Sequence, residues 1–405
     1  MKTKTWLKLS KLAAALGISA LISSSALADE VNPKGYAVTD DTVTVGILHS
    51  VTGTVALSEA GSVQGERLAI EQINAQGGVL GRKIEVIQED GASDWPTYAE
   101  KAKKLIVDDK VAAIFGCWTS ASRKAVLPIV EQYDNLLFYP VFTEGMESSP
   151  NIIYMGPDAT QQIIAGLDWV INQKKAKSFY FVGSDYIWPR TSFKIARQYI
   201  EKKGLKVKGE EYYPLGHTQF NSVINKIKLQ KPDVIFSTIV GGSNVAFYKQ
   251  LKASGIDLLK EKPLLLTTSI TEDEVSGIGG ENIEGGYSIM KYFQSMPGKS
   301  NEEFVKAFKA RYGEDAIIGD TTEAAYLGPW IWKAAVEKAG TFDIDKLKEV
   351  LPSIELTDTP NGPIKVHENH YLWMKTMIGQ AQKNGQFKIV SESKMMEPNP
   401  FMKGY

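Results

Sequence analysis

The chain is poor in the residues that announce catalysis or metal binding. It has a single cysteine, Cys117, among 405 residues. No intramolecular disulfide can form, and a multi-cysteine metal site is excluded. The four histidines, His49, His217, His367 and His370, are scattered. His367-Glu368-Asn369-His370 is one residue short of the HExxH spacing and follows the turn-rich Pro360-Asn361-Gly362-Pro363, so zinc is not expected. There is no GxSxG, no GxxxxGK[ST] and no GxGxxG between a strand and a helix. A nucleophile elbow and a phosphate-cradling loop are therefore absent as motifs. The chain also lacks an excess of either charge: 46 basic side chains face 47 acidic ones, for a net charge of -1. That balance argues against nucleic acid or an anionic membrane as the main partner.

Long hydrophobic runs are missing too. The one candidate, residues 12–22, follows Lys2, Lys4, Lys8 and Lys11 and precedes Ala26-Leu27-Ala28. It is too short to span a bilayer and ends in small polar residues, so residues 1–28 read as a cleaved export signal. No cysteine follows the cleavage site to carry a lipid. The expected mature protein is periplasmic, soluble, without a direct membrane anchor, monomeric, and free of metal and cofactor.

What is present is α/β rhythm. Residues 42–48 read as a first strand, and a loop predicted to be flexible follows at 49–56. Helix 61–76, strand 83–88, helix 98–108 and strand 111–115 follow, the last ending a fully apolar run,. The rhythm repeats with strand 178–182, a helix from about Thr191, strand 206–213, helix 220–229, strand 234–238, helix 245–253 and strand 263–268,. Two α/β units with a cleft between the carboxyl ends of their sheets is the arrangement this implies, since ligands bind at that edge.

The loops at those edges carry the candidate residues. Trp118-Thr119-Ser120-Ala121-Ser122 leaves one strand and opens a helix, which Thr119, Ser120 or Ser122 can cap,. The next strand ends in Tyr139-Pro140-Val141-Phe142-Thr143-Glu144-Gly145, and the second unit offers Gly183-Ser184-Asp185-Tyr186-Ile187-Trp188-Pro189-Arg190. Trp118, Tyr139, Tyr186 and Trp188 can supply flat faces. Thr119, Ser120 and Asp185 can supply polar partners, and Asp185 can equally cap a helix. The plainer reading of each aromatic is core packing. Cys117 reads as a small buried residue at a strand end, and Gly77-Gly78 and Gly241-Gly242 as helix ends or close backbone approaches.

Several longer stretches carry a likeness: GxLHSxTGxxA (46–56), NAxGGVLGRKIE (74–85), QEDGASDW (88–95), FGCWTSASRKAVLP (115–128), GSDYIWPRTS (183–192), YYPLGHTQFNSVINKIK (212–228), FSTIVGGSNVAFYKQL (236–251) and KVHENHYLW (365–373). Together they resemble the urea-binding proteins of bacterial urea ABC transporters, within the type I periplasmic binding proteins that include amide and branched-chain amino-acid receptors. The resemblance implies two Rossmann-like lobes joined by three crossovers, near Pro157, residues 286–291 and residues 357–361. Lobe 1 would comprise 41–157 and 287–357, and lobe 2 would comprise 158–286 and 358–398. It implies urea or a small amide as ligand, with delivery to an ABC permease and, through it, ATPase subunits. It places Trp118 and Ser120, Tyr139 and Pro140, and Tyr186 and Trp188 in the ligand loops, and adds Val240, Ser269 and Tyr292. One departure stands out: urea and amide members carry YPVQYEG or YPTxYEG, and in this chain Thr143 replaces the second aromatic. A receptor for short amides or amino acids is the alternative in the same class. A sensor for a signalling partner and an exported amide hydrolase are alternatives from other classes.

Overall fold

The computed structural model describes residues 31–405. The export signal read at residues 1–28 lies outside them. Five parallel strands build the first sheet, in the order β2-β1-β3-β4-β5. They are β1 (Thr42–His49), β2 (Lys83–Asp90), β3 (Ile114–Gly116), β4 (Leu137–Tyr139) and β5 (Ile152–Tyr154). Helices α1 (Ala56–Ala75), α2 (Trp95–Val107) and α3 (Ser120–Gln132) connect the first four. The strands are nearly continuous in Val, Ile, Leu and Phe because both faces of a parallel sheet are covered. One face buries Val43, Val45, Phe115 and Phe138.

The chain then enters a second unit. A short π-helical turn (Thr160–Ile164) leads into α4 (Ala165–Asn172), followed by β6 (Ser178–Ser184), α5 (Ile187–Lys202), β7 (Lys206–Tyr213), α6 (Asn221–Gln230), β8 (Val234–Thr238), α7 (Ser243–Ala253), β9 (Leu264–Thr267), α8 (Glu272–Ile278), α9 (Gly280–Ile283) and β10 (Tyr287–Met290). It returns to the first unit for α10 (Lys299–Tyr312), α11 (Asp320–Ala339), α12 (Ile344–Val350) and the small sheet of β11 (Glu355–Leu356), β12 (Ile364–Val366) and β13 (Leu372–Trp373). Finally β14 (Met377–Ala381) and β15 (Phe387–Glu392) add antiparallel to the second sheet, whose order is β15-β14-β10-β9-β8-β6-β7.

This topology corrects two expected boundaries. Residues 287–290 were expected in lobe 1, but they form β10, paired with β9 and β14 in the second sheet. Residues 358–373 were expected in lobe 2, but Ile364, Val366 and Leu372 pack into the core of the first lobe beside Trp332. The third crossing therefore falls at residues 374–376 rather than at 357–361. Local pattern marks where a strand is; it does not say which sheet accepts it.

Packing between α1 and α11 is closest at two glycines of α1, Gly61 and Gly65, which both face Thr322. A Cβ on Gly65 would lie 2.4 Å from the Thr322 carbonyl oxygen, so any larger residue would push the helices apart,.

At the carboxyl end of β1 the loop expected to be flexible is anchored. His49 is buried and sits between two buried carboxylates: Nδ1 is 2.7 Å from Glu59 Oε2 and Nε2 is 3.0 Å from Glu66 Oε1. Tyr98 Oη donates to Glu59 at 2.8 Å, and the Ser50 backbone N–H donates to Glu59 Oε2 at 2.9 Å. Burial works against a charge on His49. The Glu66 charge and the hydrogen bonds to Glu59 and Glu66 outweigh it, and the pKa rises to about 10. Burial also raises the Glu66 carboxyl. Both groups are raised, so both contribute stability at low pH that is lost as pH rises. For His49 the contribution is complete below about 6.5, its unfolded value, and declines as pH approaches about 10. His49→Gln strands two buried carboxylates, a loss on the order of 3–5 kcal/mol. Thermal melts should show a lower midpoint at neutral pH and a shallower decline toward alkaline pH than the parent. Superimposable melting profiles would remove His49 from the network's energetics.

Candidate functional site

The carboxyl ends of the two sheets face each other. On the first lobe, the chain leaves β3 through Gly116 at φ +144° and Cys117 at φ +61°, a left-handed turn that a non-glycine residue adopts at a cost,. The turn delivers Trp118 to the rim. Thr119 then caps α3, its Oγ1 accepting from the Ser122 N–H at 3.0 Å.

Behind this rim sits Arg123, fully buried. Its Nε donates to Glu147 Oε1 at 2.8 Å, Nη1 to Ser120 Oγ at 3.1 Å and Nη2 to Glu144 Oε1 at 3.3 Å. The guanidinium carbon lies 4.7 Å from the Tyr139 ring centroid, within cation–π range. Ser120 Oγ donates in turn to Glu144 Oε2 at 2.6 Å. Tyr139 Oη donates to the Trp118 carbonyl at 2.7 Å. Burial raises the Glu147 carboxyl, but the Arg123 charge and the Lys124 hydrogen bond prevail and hold it below its ordinary range.

On the second lobe, Tyr186 precedes α5 and Trp188 lies in its first turn. The two rings are 6.4 Å apart. Burial, with the neighbouring Tyr139 and Glu144 adding to it, pushes the Tyr186 hydroxyl well above its usual value. Val240 donates its backbone N–H to Ser184 Oγ at 3.1 Å, and Ser269 Oγ donates to the Ile239 carbonyl at 2.8 Å. These bonds tie the three strand-end loops of the lobe together.

The residue that joins the lobes is one that sequence reasoning passed over. Phe142, which follows Tyr139, Pro140 and Val141, lies with its ring centroid 6.5 Å from that of Trp118 and 5.0 Å from that of Trp188. Trp118, Phe142 and Trp188 are 2 %, 4 % and 1 % exposed, and one continuous apolar cluster passes through them from the first lobe to the second. The lobes also touch at Gly241, where a Cβ would stand 3.0 Å from the Thr54 carbonyl oxygen. A cavity beside this contact, lined by Ser58, Gly241, Asn244 and Asp273 among others, has a volume of about 10 Å³. That is at the lower limit for a single water.

The expected site residues thus divide. Trp118, Ser120, Tyr139, Tyr186 and Trp188 converge around Phe142, with Pro140 buried beside them. Thr119 caps its helix, and Val240 and Ser269 hold loops. Asp185 is 40 % exposed and pairs with Arg190 at 2.6 Å. Tyr292 lies in a different cluster with Phe304 and donates its hydroxyl to Asn301 Oδ1 at 2.7 Å. Thr143, the noted departure, accepts the Gly145 N–H at 3.1 Å. Besides Phe142, the residues missed are Arg123, whose burial no local pattern reveals, and Asn244.

Among the buried polar atoms that lack a partner are the indole nitrogens of Trp118 and Trp188 and both amide atoms of Asn244. Buried polar groups are normally satisfied, so each is a candidate for a ligand contact. The buried cations are committed, Arg123 to Glu144 and Glu147 and Lys291 to Glu323. Among the described residues no group of three or more His, Cys, Asp or Glu could hold a metal, and no helix is long and apolar enough to cross a membrane.

Residues 43–405 match the family described as periplasmic binding protein domain. The chain belongs to that family. It is a periplasmic solute-binding protein with the type I fold. A leucine-, isoleucine-, valine-, threonine- and alanine-binding protein of Pseudomonas aeruginosa is 26% identical over 368 residues, 89% of this chain and 92% of the relative. A Leu/Ile/Val-binding protein homolog of Brucella melitensis is 25% identical over 382 residues, 88% and 93% of the two chains. A solute-binding protein of an ABC transporter from Rhodopseudomonas palustris, solved with 3,4-dihydroxybenzoic acid, shares the fold with a TM-score of 0.79 at 23% identity. That match covers 88% of this periplasmic binding protein and 99% of the other chain.

Phe142→Ala removes the aromatic contact between the lobes, on the order of 0.5–1.5 kcal/mol beyond the lost burial. Small-angle scattering should give a larger radius of gyration for the variant than for the parent. Identical scattering curves would show that other contacts hold the lobes together. Asp185→Asn, by contrast, should leave both the curve and ligand affinity unchanged.

Proposed function

We propose that this periplasmic binding protein captures urea, or a comparably small neutral amide, between its lobes and delivers it to an ABC permease. The observation that carries the reading is the state of the cleft's polar groups. The buried cations are already paired with carboxylates, and the neutral atoms left without a partner include two indole donors and one carboxamide. Urea is planar and neutral, with N–H donors and a carbonyl acceptor. It can satisfy such groups without bringing an unpaired charge into a buried site, which is the costlier alternative. A zwitterionic amino acid would find no uncommitted buried cation for its carboxylate. Trp118, Phe142 and Trp188 supply apolar faces. The volume of about 10 Å³ at the lobe contact is too small for urea, so the ligand would be admitted when the lobes part,. A ligand moves that equilibrium only through its better fit to one arrangement.

A second reading rests on the same three rings. Phe142 stands between Trp118 and Trp188, so the cleft offers three aromatic faces where a ligand as small as urea can use fewer. That surface would suit a small aromatic acid such as the one held by the Rhodopseudomonas protein.

Calorimetry against urea, acetamide, leucine and 3,4-dihydroxybenzoate separates these readings. Urea or acetamide should bind with one-to-one stoichiometry, and the other two should not compete. Tighter binding of leucine or dihydroxybenzoate than of either amide would overturn the urea assignment. Trp118→Ala and Trp188→Ala should each weaken amide binding by on the order of 1–3 kcal/mol, about five- to 150-fold. Folding is best followed by guanidinium or heat, since urea is the candidate ligand. Undiminished affinity in both folded variants would take the indoles out of the site.

A further inference from the structure

The ligand edge of the second sheet is its carboxyl edge. At the opposite edge, where β6, β8 and β9 begin, lies a groove of about 610 Å³. That is within the size range of small-molecule sites. Its lining carries six lysines, Lys174, Lys175, Lys228, Lys231, Lys260 and Lys262, against three acids, Asp233, Asp257 and Glu261. A chain with a net charge of -1 thus concentrates positive charge in one concavity.

The acids do not neutralise it. Asp233 Oδ2 is taken by the backbone N–H groups of Lys177 and Ser178, each at 2.9 Å, and by Ser178 Oγ at 3.0 Å. Glu261 pairs with Lys174 at 2.8 Å and accepts from the Tyr287 hydroxyl. Asp257 accepts the Leu259 N–H at 3.2 Å and meets Lys260 at 3.6 Å. Lys228 caps the Ser254 carbonyl at 2.8 Å. Lys175, Lys231 and Lys262 are exposed and have no ion pair.

Two of these unpaired lysines occupy positions that favour glycine. Lys175, just past α4, has φ +60°, and Lys231, the residue that ends α6, has φ +46°. The left-handed conformation after a helix costs least with glycine or asparagine. A lysine can serve a helix's negative end from anywhere in its last turn, without strain. Here the charge stands at the strained position itself, where it faces the groove.

We propose that this groove is a second binding site, for a multiply charged phosphate-type anion, independent of the solute cleft. The ammonium groups would bind such an anion as point charges, so affinity should fall with salt.

The test uses the folded protein at low ionic strength with tripolyphosphate as the probe, read by calorimetry. A second arm measures sedimentation with vesicles of phosphatidylglycerol or of phosphatidylcholine alone. Binding of tripolyphosphate that weakens with added salt supports the site. Added sedimentation with phosphatidylglycerol only would identify the anion as a lipid headgroup; none would identify it as a soluble one. Lys175→Gly and Lys231→Gly relieve the strained conformation while removing the charge. Each should keep or raise the melting temperature and weaken tripolyphosphate binding about tenfold, leaving the response to urea as in the parent. No binding of either probe at low salt, or full affinity in the double variant, would overturn the proposal.

Discussion

A buried guanidinium is the interaction on which the first half of the cleft depends. Arg123 cannot shed its proton, and a buried charge must be met by partners in fixed places. Those partners are Ser120 at the start of α3 and Glu144 and Glu147 beyond the end of β4. Satisfying one side chain therefore fixes two loops from neighbouring strands. Tyr139 packs on the guanidinium and holds the Trp118 carbonyl, so the aromatic rim is registered to the same charge. The positions of Trp118 and Phe142 follow from this frame. The residues that look most polar in the sequence here, Ser120 and Glu144, are used up in building it.

The second lobe meets that rim mainly through apolar surface, with Trp188 against Phe142 as the centre of the contact. Such a contact is non-directional and of modest strength, as the proposed opening of the cleft would require. The rigid parts lie elsewhere. The Glu59–His49–Glu66 cluster anchors the loop after β1, and Gly65 lets α1 and α11 pack closely. The second crossing is held by Asp320, whose Oδ2 accepts the backbone N–H groups of Lys291 and Tyr292, each at 2.9 Å. Stiff lobes, a fixed crossing and a soft apolar seam together make a clamp that a small solute can bias.

The local rhythm of strand and helix was legible in the residues. Strands Lys206–Tyr213 and Val234–Thr238 were read with the bounds they have, because apolar runs bounded by turn residues are a local signal. The edges carrying the site were legible for the same reason: a doubly wound unit places its loops at the carboxyl ends whatever the sequence of the loops. The aromatic residues at those edges, Trp118, Tyr139, Tyr186 and Trp188, were legible from composition at those positions.

Only the tertiary structure decided the rest, and in each case the reason is partnership at a distance. Which sheet receives residues 287–290, and which core receives residues 364–372, depends on contacts with elements far along the chain. Asp185 turned outward because Arg190 lies within reach at the surface, while Phe142 turned inward because Trp118 and Trp188 close around it from opposite lobes. Sequence determined which side chains were available at the cleft. The fold determined which of them were already satisfied by the protein and which were left for a ligand.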